Sequence, residues 1–221
     1  MDAGCHAIWT RSSRELDGGR PTSAWHSAAV PVARRAVVLF VPQPVAAVID
    51  DVRKRWDPVM LGRIDPHVTL VHDIVHDIVH DIVDVDAADR CVQEAAAAIA
   101  PFEVTLTTAR CWSRAANGVY LDIDDPTGAI EALHAQLSAL ESPGWARAGF
   151  HPHVTLVHGR TVDPDLAEPA WSALCDATFG WTVRLSSLDV IELDEATGWS
   201  SVLRLQLADD AATSHGRAAA R

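Results

Sequence analysis

The sequence predicts an α+β fold that is two-lobed and internally duplicated, and three observations predict it. The octet DPHVTLVH (65–72) recurs as HPHVTLVH (151–158), and only Asp65 and His151 differ between the copies. The segments around the two octets follow one order: helix, octet strand, helix, strand, strand. The chain has 221 residues, 48% of them apolar and 22% charged, which suits a globular fold with a sizeable core.

The elements follow from local patterns. AVVLFV (36–41) is a short, β-branched apolar run, as for a strand covered on both faces, and Pro42 and Pro44 end it. Val45, Val48, Ile49, Val52 and Trp56 then fall at helical spacing, with Pro44 in the first turn. After the first octet strand, an Ala-rich helix runs from about Asp84 to Ala100, with Val92, Ala95, Ala96 and Ile99 on one face. PFEVTLTTARCW and NGVYLDIDD read as strands, the second alternating through Val119, Leu121 and Ile123. The order then restarts. A helix carries Ile130, Leu133, Leu137 and Leu140 on one stripe, and the second octet strand follows. The next helix has Asp163 as its cap and Pro164 in its first turn. FGWTVRLSSLDVIELD and SSVLRLQLAD close the fold, with a turn near Gly198. Residues 1–33 lack a sustained period and read as a mobile extension, as does the tail 208–221. The domain spans 34–207, divided by the repeat into a lobe with the first octet (34–124) and a lobe with the second (125–207).

Charge and composition exclude several classes. The net charge of −12 argues against gripping long nucleic acid by phosphate neutralisation, although a few local cations suffice for a small phosphate. There is no run of eighteen apolar residues and no secretory h-region. Cys5, Cys91, Cys111 and Cys175 are scattered without a CxxC spacing, as for reduced thiols. These features suit a cytoplasmic protein. Since two lobes can build a cleft within one chain, a monomer is expected.

Each octet carries chemistry. In a strand, alternation puts His67, Thr69 and Val71 on one face and Val68, Leu70 and His72 on the other; the same division separates His153, Thr155 and Val157 from Val154, Leu156 and His158. An imidazole and a hydroxyl thus point the same way twice. If a pseudo-twofold relates the halves, both pairs face one cleft. Paired histidines can exchange protons with a nucleophile and a leaving group, because the imidazole pKa lies near neutrality. Threonine hydroxyls can donate to phosphate oxygens. A repeat that only packs would keep its apolar letters and let the polar ones drift; here the polar ones are kept.

Between the octets, the unit HDIV repeats three times (72–83). On a helix, His72, His76 and His80 would stack, and histidines at i and i+4 can bind zinc. A strict tetrapeptide repeat is also what a duplication of coding sequence leaves, and the second octet has no such insert. The segment therefore reads as an expansion, with no metal assigned.

The two HVTL tetrapeptides, His67-Val68-Thr69-Leu70 and His153-Val154-Thr155-Leu156, resemble the paired signature of the 2H phosphoesterases, which include the 2′-5′ RNA ligase-like proteins and the cyclic nucleotide phosphodiesterases. The resemblance spans about residues 35–207. It implies a bilobal fold, with two antiparallel sheets flanked by helices around a central groove. It also implies cofactor-free, metal-free phosphoester chemistry, in which His67 and His153 are general acid and base and Thr69 and Thr155 hold the phosphate. The implied substrate is a small cyclic phosphate or a short RNA end, with no membrane partner. Arg63, Arg110, Arg147 and Arg160 are candidate phosphate clamps by their position near the motifs, and Trp112 and Trp145 are candidate stacking surfaces. Ligation in the reverse direction, a nucleotide-binding module without turnover, and a metal protein built on the histidine repeat are the rival readings.

Overall fold

The computed structural model describes residues 34–74, 85–112, 118–141, 149–194 and 196–208. The extension 1–33, the tail from 209, Arg147, Trp145 and most of the HDIV repeat lie outside the described residues.

Eight strands are described: β1 (Arg35–Phe40), β2 (His67–Val71), β3 (Phe102–Cys111), β4 (Val119–Asp124), β5 (His153–Val157), β6 (Thr178–Leu185), β7 (Ser187–Asp194) and β8 (Gly198–Gln206). With them run four α-helices: α1 (Val45–Trp56), α2 (Val85–Ala98), α3 (Ala129–Leu137) and α4 (Pro164–Leu174). A short 3-10 turn, Ser138–Leu140, follows α3. The first half has the order read from the sequence, α1, β2, α2, β3, β4, whereas the second runs α3, β5, α4 and then three strands, β6, β7 and β8, in place of the expected two.

The strands form one antiparallel sheet in the order β6-β3-β4-β5-β2-β1-β7-β8. The expectation of two sheets therefore gives way to one. The two octet strands meet at its centre, where Val68 opposite Val154 carries the hydrogen-bond ladder from one half to the other. The halves of the sheet also differ from the consecutive halves of the chain. β7 returns to pair with β1 and β8 adds beyond it, so the first octet sits among β2, β1, β7 and β8, and the second among β5, β4, β3 and β6. Without β7, β1 would present an open edge.

FGWTVRLSSLDVIELD, expected as one strand, breaks at Ser186 into β6 and β7. Residues adjacent in sequence thus join opposite halves of the sheet, and the strand cannot run straight through.

All four helices bury residues in one apolar cluster against the sheet, together with Val68, Leu70, Val154 and Leu156 of the octets. In α3, Ile130, Leu133 and Leu137 have no exposed surface, and each contributes roughly 1.5–3 kcal/mol of burial. The α4 cap is as expected: the Asp163 carboxylate accepts from the Asp165 N–H at 2.8 Å. In α1 the buried face is shifted from the expected stripe. Ala46, Ile49 and Arg53 are buried, whereas Val48 is 43% exposed. An arginine at the centre of a buried helix face needs its own partners, and those partners belong to the site.

Candidate active site

The octet strands run side by side and antiparallel. With Val68 opposite Val154, the register sets His67 level with Thr155 and His153 level with Thr69. Each histidine therefore neighbours the other octet's threonine across the seam, on the sheet face away from the main core. Neither threonine hydroxyl has a hydrogen-bond partner among the described residues.

Both octets carry the same irregularity. On β2, Val71 pairs with Val37 and Thr69 with Val38, so Leu70 is the extra residue of a bulge. On β5, Val157 pairs with Val119 and Thr155 with Tyr120, so Leu156 is the extra residue. Strict alternation puts Val71 and Val157 beside the threonines. The bulge instead turns both into the core, where neither has exposed surface.

The histidines are held in the same way. His67 Nδ1 lies 2.7 Å from the Asp65 carbonyl, and His153 Nδ1 lies 2.7 Å from the His151 carbonyl. A carbonyl only accepts, so Nδ1 carries the proton in each ring and Nε2 is the reactive nitrogen. This explains why the octets can differ at Asp65 and His151: what both positions contribute to the ring is a backbone oxygen.

The surroundings of the two rings differ. His67 meets the edge of the Phe40 ring at 6.2 Å. His153 meets Trp112 and Tyr120 edge-on at 5.1 and 5.4 Å, and those two rings stack on each other at 4.1 Å. Asp122 pairs with His153 in the β4–β5 register and lies 3.6 Å from the His151 ring. Burial lowers the His67 pKa to about 3; the Asp65 carbonyl opposes the drop, while Arg53 and His153 add to it. Burial also lowers His153, against the His151 carbonyl and the charge of Asp122. His72, just past the β2 bulge, is lowered to about 4 by burial and next by His153.

Two charged residues, one on α1 and one at its C-terminal end, fasten α1 to the octets. Arg53, with no exposed surface, donates from Nη1 to the Ile64 carbonyl at 2.9 Å and from Nη2 to the Thr155 carbonyl at 2.8 Å. Its Nη1 also pairs with Asp50 at 3.5 Å. One guanidinium thus joins the approach to the first octet with the middle of the second. Asp57, equally buried, accepts from the His158 N–H at 2.8 Å and the Thr161 hydroxyl at 2.7 Å. Charged groups buried this deeply persist only with such partners.

The candidate clamps are dispersed. Arg110 pairs with Asp122 at 3.1 Å and Asp176 at 2.8 Å, so its charge is already matched. Arg63 has an exposed side chain and contributes its carbonyl to Trp199 N–H at 2.8 Å. Arg160 is exposed and donates its backbone N–H to His158 Nδ1 at 3.2 Å. Trp112 does reach the site, beside His153. Among the described residues, no three His, Cys, Asp or Glu side chains cluster as a metal site. No helix among the described residues is long and apolar enough to cross a membrane.

Sequence reading missed Arg53 and Asp57, because charged residues on a helix read as solvated. It also missed Tyr120 and Asp122. Their signal was present: they are the complement of the Val119, Leu121 and Ile123 alternation, and Tyr120 is the chain's single tyrosine.

The family model of the 2′-5′ RNA ligase superfamily matches residues 41–197, which include both octets and more than half of the chain. Among solved structures, the fold is similar to that of E. coli LigT complexed with NADP+, at 21% identity and a TM-score of 0.52, covering 80% of this chain and 99% of that one. LigT complexed with 3′-AMP matches at 20% identity and a TM-score of 0.53, with coverages of 80% and 99%. TT0787 of Thermus thermophilus matches at 18% identity and a TM-score of 0.56, with the same coverages. No curated protein matches the sequence. With both HVTL strands inside the matched region and the same fold around them, the chain belongs to the 2′-5′ RNA ligase superfamily, the 2H phosphoesterases.

Proposed function

We propose that this protein is a metal-independent phosphoesterase that opens a 2′,3′-cyclic phosphate on a small nucleotide or a short RNA end. One observation carries the reading. Two imidazoles, each fixed through Nδ1 and open at Nε2, stand level with two unpartnered threonine hydroxyls at the centre of one sheet. His67, neutral well into the acid range, acts as the base. It takes a proton from water as the water oxygen bonds to phosphorus. His153, beside the Asp122 carboxylate, gives a proton to the ribose oxygen as its bond to phosphorus breaks. Thr69 and Thr155 donate to the non-bridging oxygens, where charge builds. LigT in complex with 3′-AMP, ATP and NADP+ supports a nucleotide-sized ligand. Both octets belong to one chain, so a monomer suffices.

The family's name favours a second reading, in which a 5′-hydroxyl takes the place of water: its oxygen bonds to phosphorus as the bond to the 3′-oxygen breaks, leaving a 2′-5′ linkage. A binding module without turnover fits less well, because both histidines and both threonines are intact.

The test is turnover of 2′,3′-cyclic mononucleotides in EDTA by the wild type, His67→Ala and His153→Ala. The expected result is ring opening by the wild type, unaffected by the chelator, and loss of about a hundredfold or more in each variant. Variants as active as the wild type would reduce the octets to a packing element.

A further inference from the structure

We propose that the cavity beside His67 is a subsite for a second anion, with Arg204 as its anchor, so that the preferred substrate is a cyclic phosphate carrying another phosphate group on the same small molecule. This rests on the phosphoesterase reading of the octets and names the substrate class for that site.

The cavity has a volume of about 300 Å³ and is bounded by Phe40 and Pro42 at the end of β1, Arg184 and Ser186 at the β6–β7 corner, Ser187, and Arg204 of β8. It adjoins the catalytic face through Phe40, whose ring meets the His67 ring at 6.2 Å and lies 5.9 Å from the Arg204 guanidinium. Phe40 therefore walls the cavity on one side and the His67 ring on the other.

Arg204 is held as an oriented cation. Its Nε donates to Asp189 Oδ1 at 2.8 Å. Asp189 has no exposed surface, and the same oxygen accepts from the Ser201 hydroxyl at 2.6 Å, so the anchor is itself fixed. This side-on contact leaves Nη1 and Nη2 with no acceptor among the described residues. A guanidinium held at Nε by a buried carboxylate, with its side chain 58% exposed and its fork free, can take an oxyanion through two parallel N–H donors. The hydroxyl of Ser186 adds a donor to the same wall, while that of Ser187 already donates to Asp189 Oδ2 at 3.4 Å. Asp50 and Asp65 stand on the α1 side of the cavity, where their acceptor oxygens suit sugar hydroxyls and repel a phosphate. The distribution of charge therefore orients a ribose phosphate with its anion toward Arg204.

The test compares binding of adenosine 3′,5′-bisphosphate and adenosine 3′-monophosphate by calorimetry, for the wild type, Arg204→Gln and Arg204→Lys. The expected wild-type preference for the bisphosphate is tenfold or more in Kd. Arg204→Gln should reduce that preference below twofold. Arg204→Lys, which keeps the charge on Asp189 matched but loses the fork, should reduce it at least threefold. Equal wild-type binding of the two compounds overturns the subsite, as does an undiminished preference in Arg204→Lys should Arg204→Gln fail to fold. Turnover of 2′,3′-cyclic AMP by the same wild-type preparation separates the two proposals. An inert protein with an Arg204-dependent preference defeats the hydrolase reading and keeps the subsite; an active one without preference defeats the subsite alone.

Discussion

The two octets agree in everything the backbone does and differ in what surrounds them. Each has a histidine tied through Nδ1 to the carbonyl two residues before it, and each has a bulge at its leucine. Yet His67 has an apolar ring beside it and the Arg53 cation within electrostatic reach, while His153 has a carboxylate and a stacked aromatic pair. The two rings share tautomer and aim, and the neighbouring strands β1 and β4 give them different surroundings. A cation and an apolar wall favour a neutral base; a carboxylate favours a ring that holds its proton.

The largest expected effect tests the likeness of the halves. His67→Ala and His153→Ala should each reduce kcat by about 10²–10⁴-fold, and the double variant should fall little further, because the two rings act as a unit. Steady-state kinetics on a cyclic mononucleotide measures this. Melting points should stay within about ten degrees of the wild type, since a larger shift would mean a loss of more than roughly 2 kcal/mol and a core role.

Next is the bolt between the halves. Arg53→Met removes the donors to Ile64 and Thr155 and leaves two carbonyls without partners. The expected cost is about 3 kcal/mol or more in urea unfolding. Arg63→Met, at an exposed side chain, should stay within about 0.5 kcal/mol. Equal effects would remove any special role for the buried guanidinium.

The difference between the rings predicts a smaller effect. Asp122→Asn deletes the negative charge that holds up the His153 pKa, so the alkaline limb of the pH–rate profile should move to lower pH. A limb that stays in place would show that His153 is not the acid. The last effect concerns stability. His67 is neutral in the fold down to about pH 3, whereas in the unfolded chain it takes up a proton below about pH 6.5. The unfolded state thus binds more protons in this window, and stability should fall as pH drops from about 6.5 to about 3. His67→Asn should flatten part of that slope in denaturant titrations at several pH values.

Much of this was legible in the sequence, for identifiable reasons. Ile130, Leu133 and Leu137 of α3 lie at plain helical spacing and are buried as expected. The octet histidines and threonines declared themselves by repetition. What stayed hidden depends on long-range closure. Arg53 looks like any charged helix residue until Ile64 and Thr155 are folded against it. The bulges at Leu70 and Leu156 break the alternation that places Val71 and Val157, and nothing local marks them. The single sheet follows from one backbone contact at Val68 and Val154. The break at Ser186 is marked only by the pair Ser186-Ser187 between two strand-forming runs.

That break at Ser186 orders the birth of the site. β1 is among the first strands to leave the ribosome, yet one of its two neighbours is β7, which begins at Ser187. Until β7 has emerged, the β1–β2 pair carries an open edge, and the His67 half lacks its wall. The His153 half, built from β3 to β6, is complete before β7 is made. A chain halted before Ser187 would thus hold every strand around the second octet and leave β1, beside the first, with an unpaired edge.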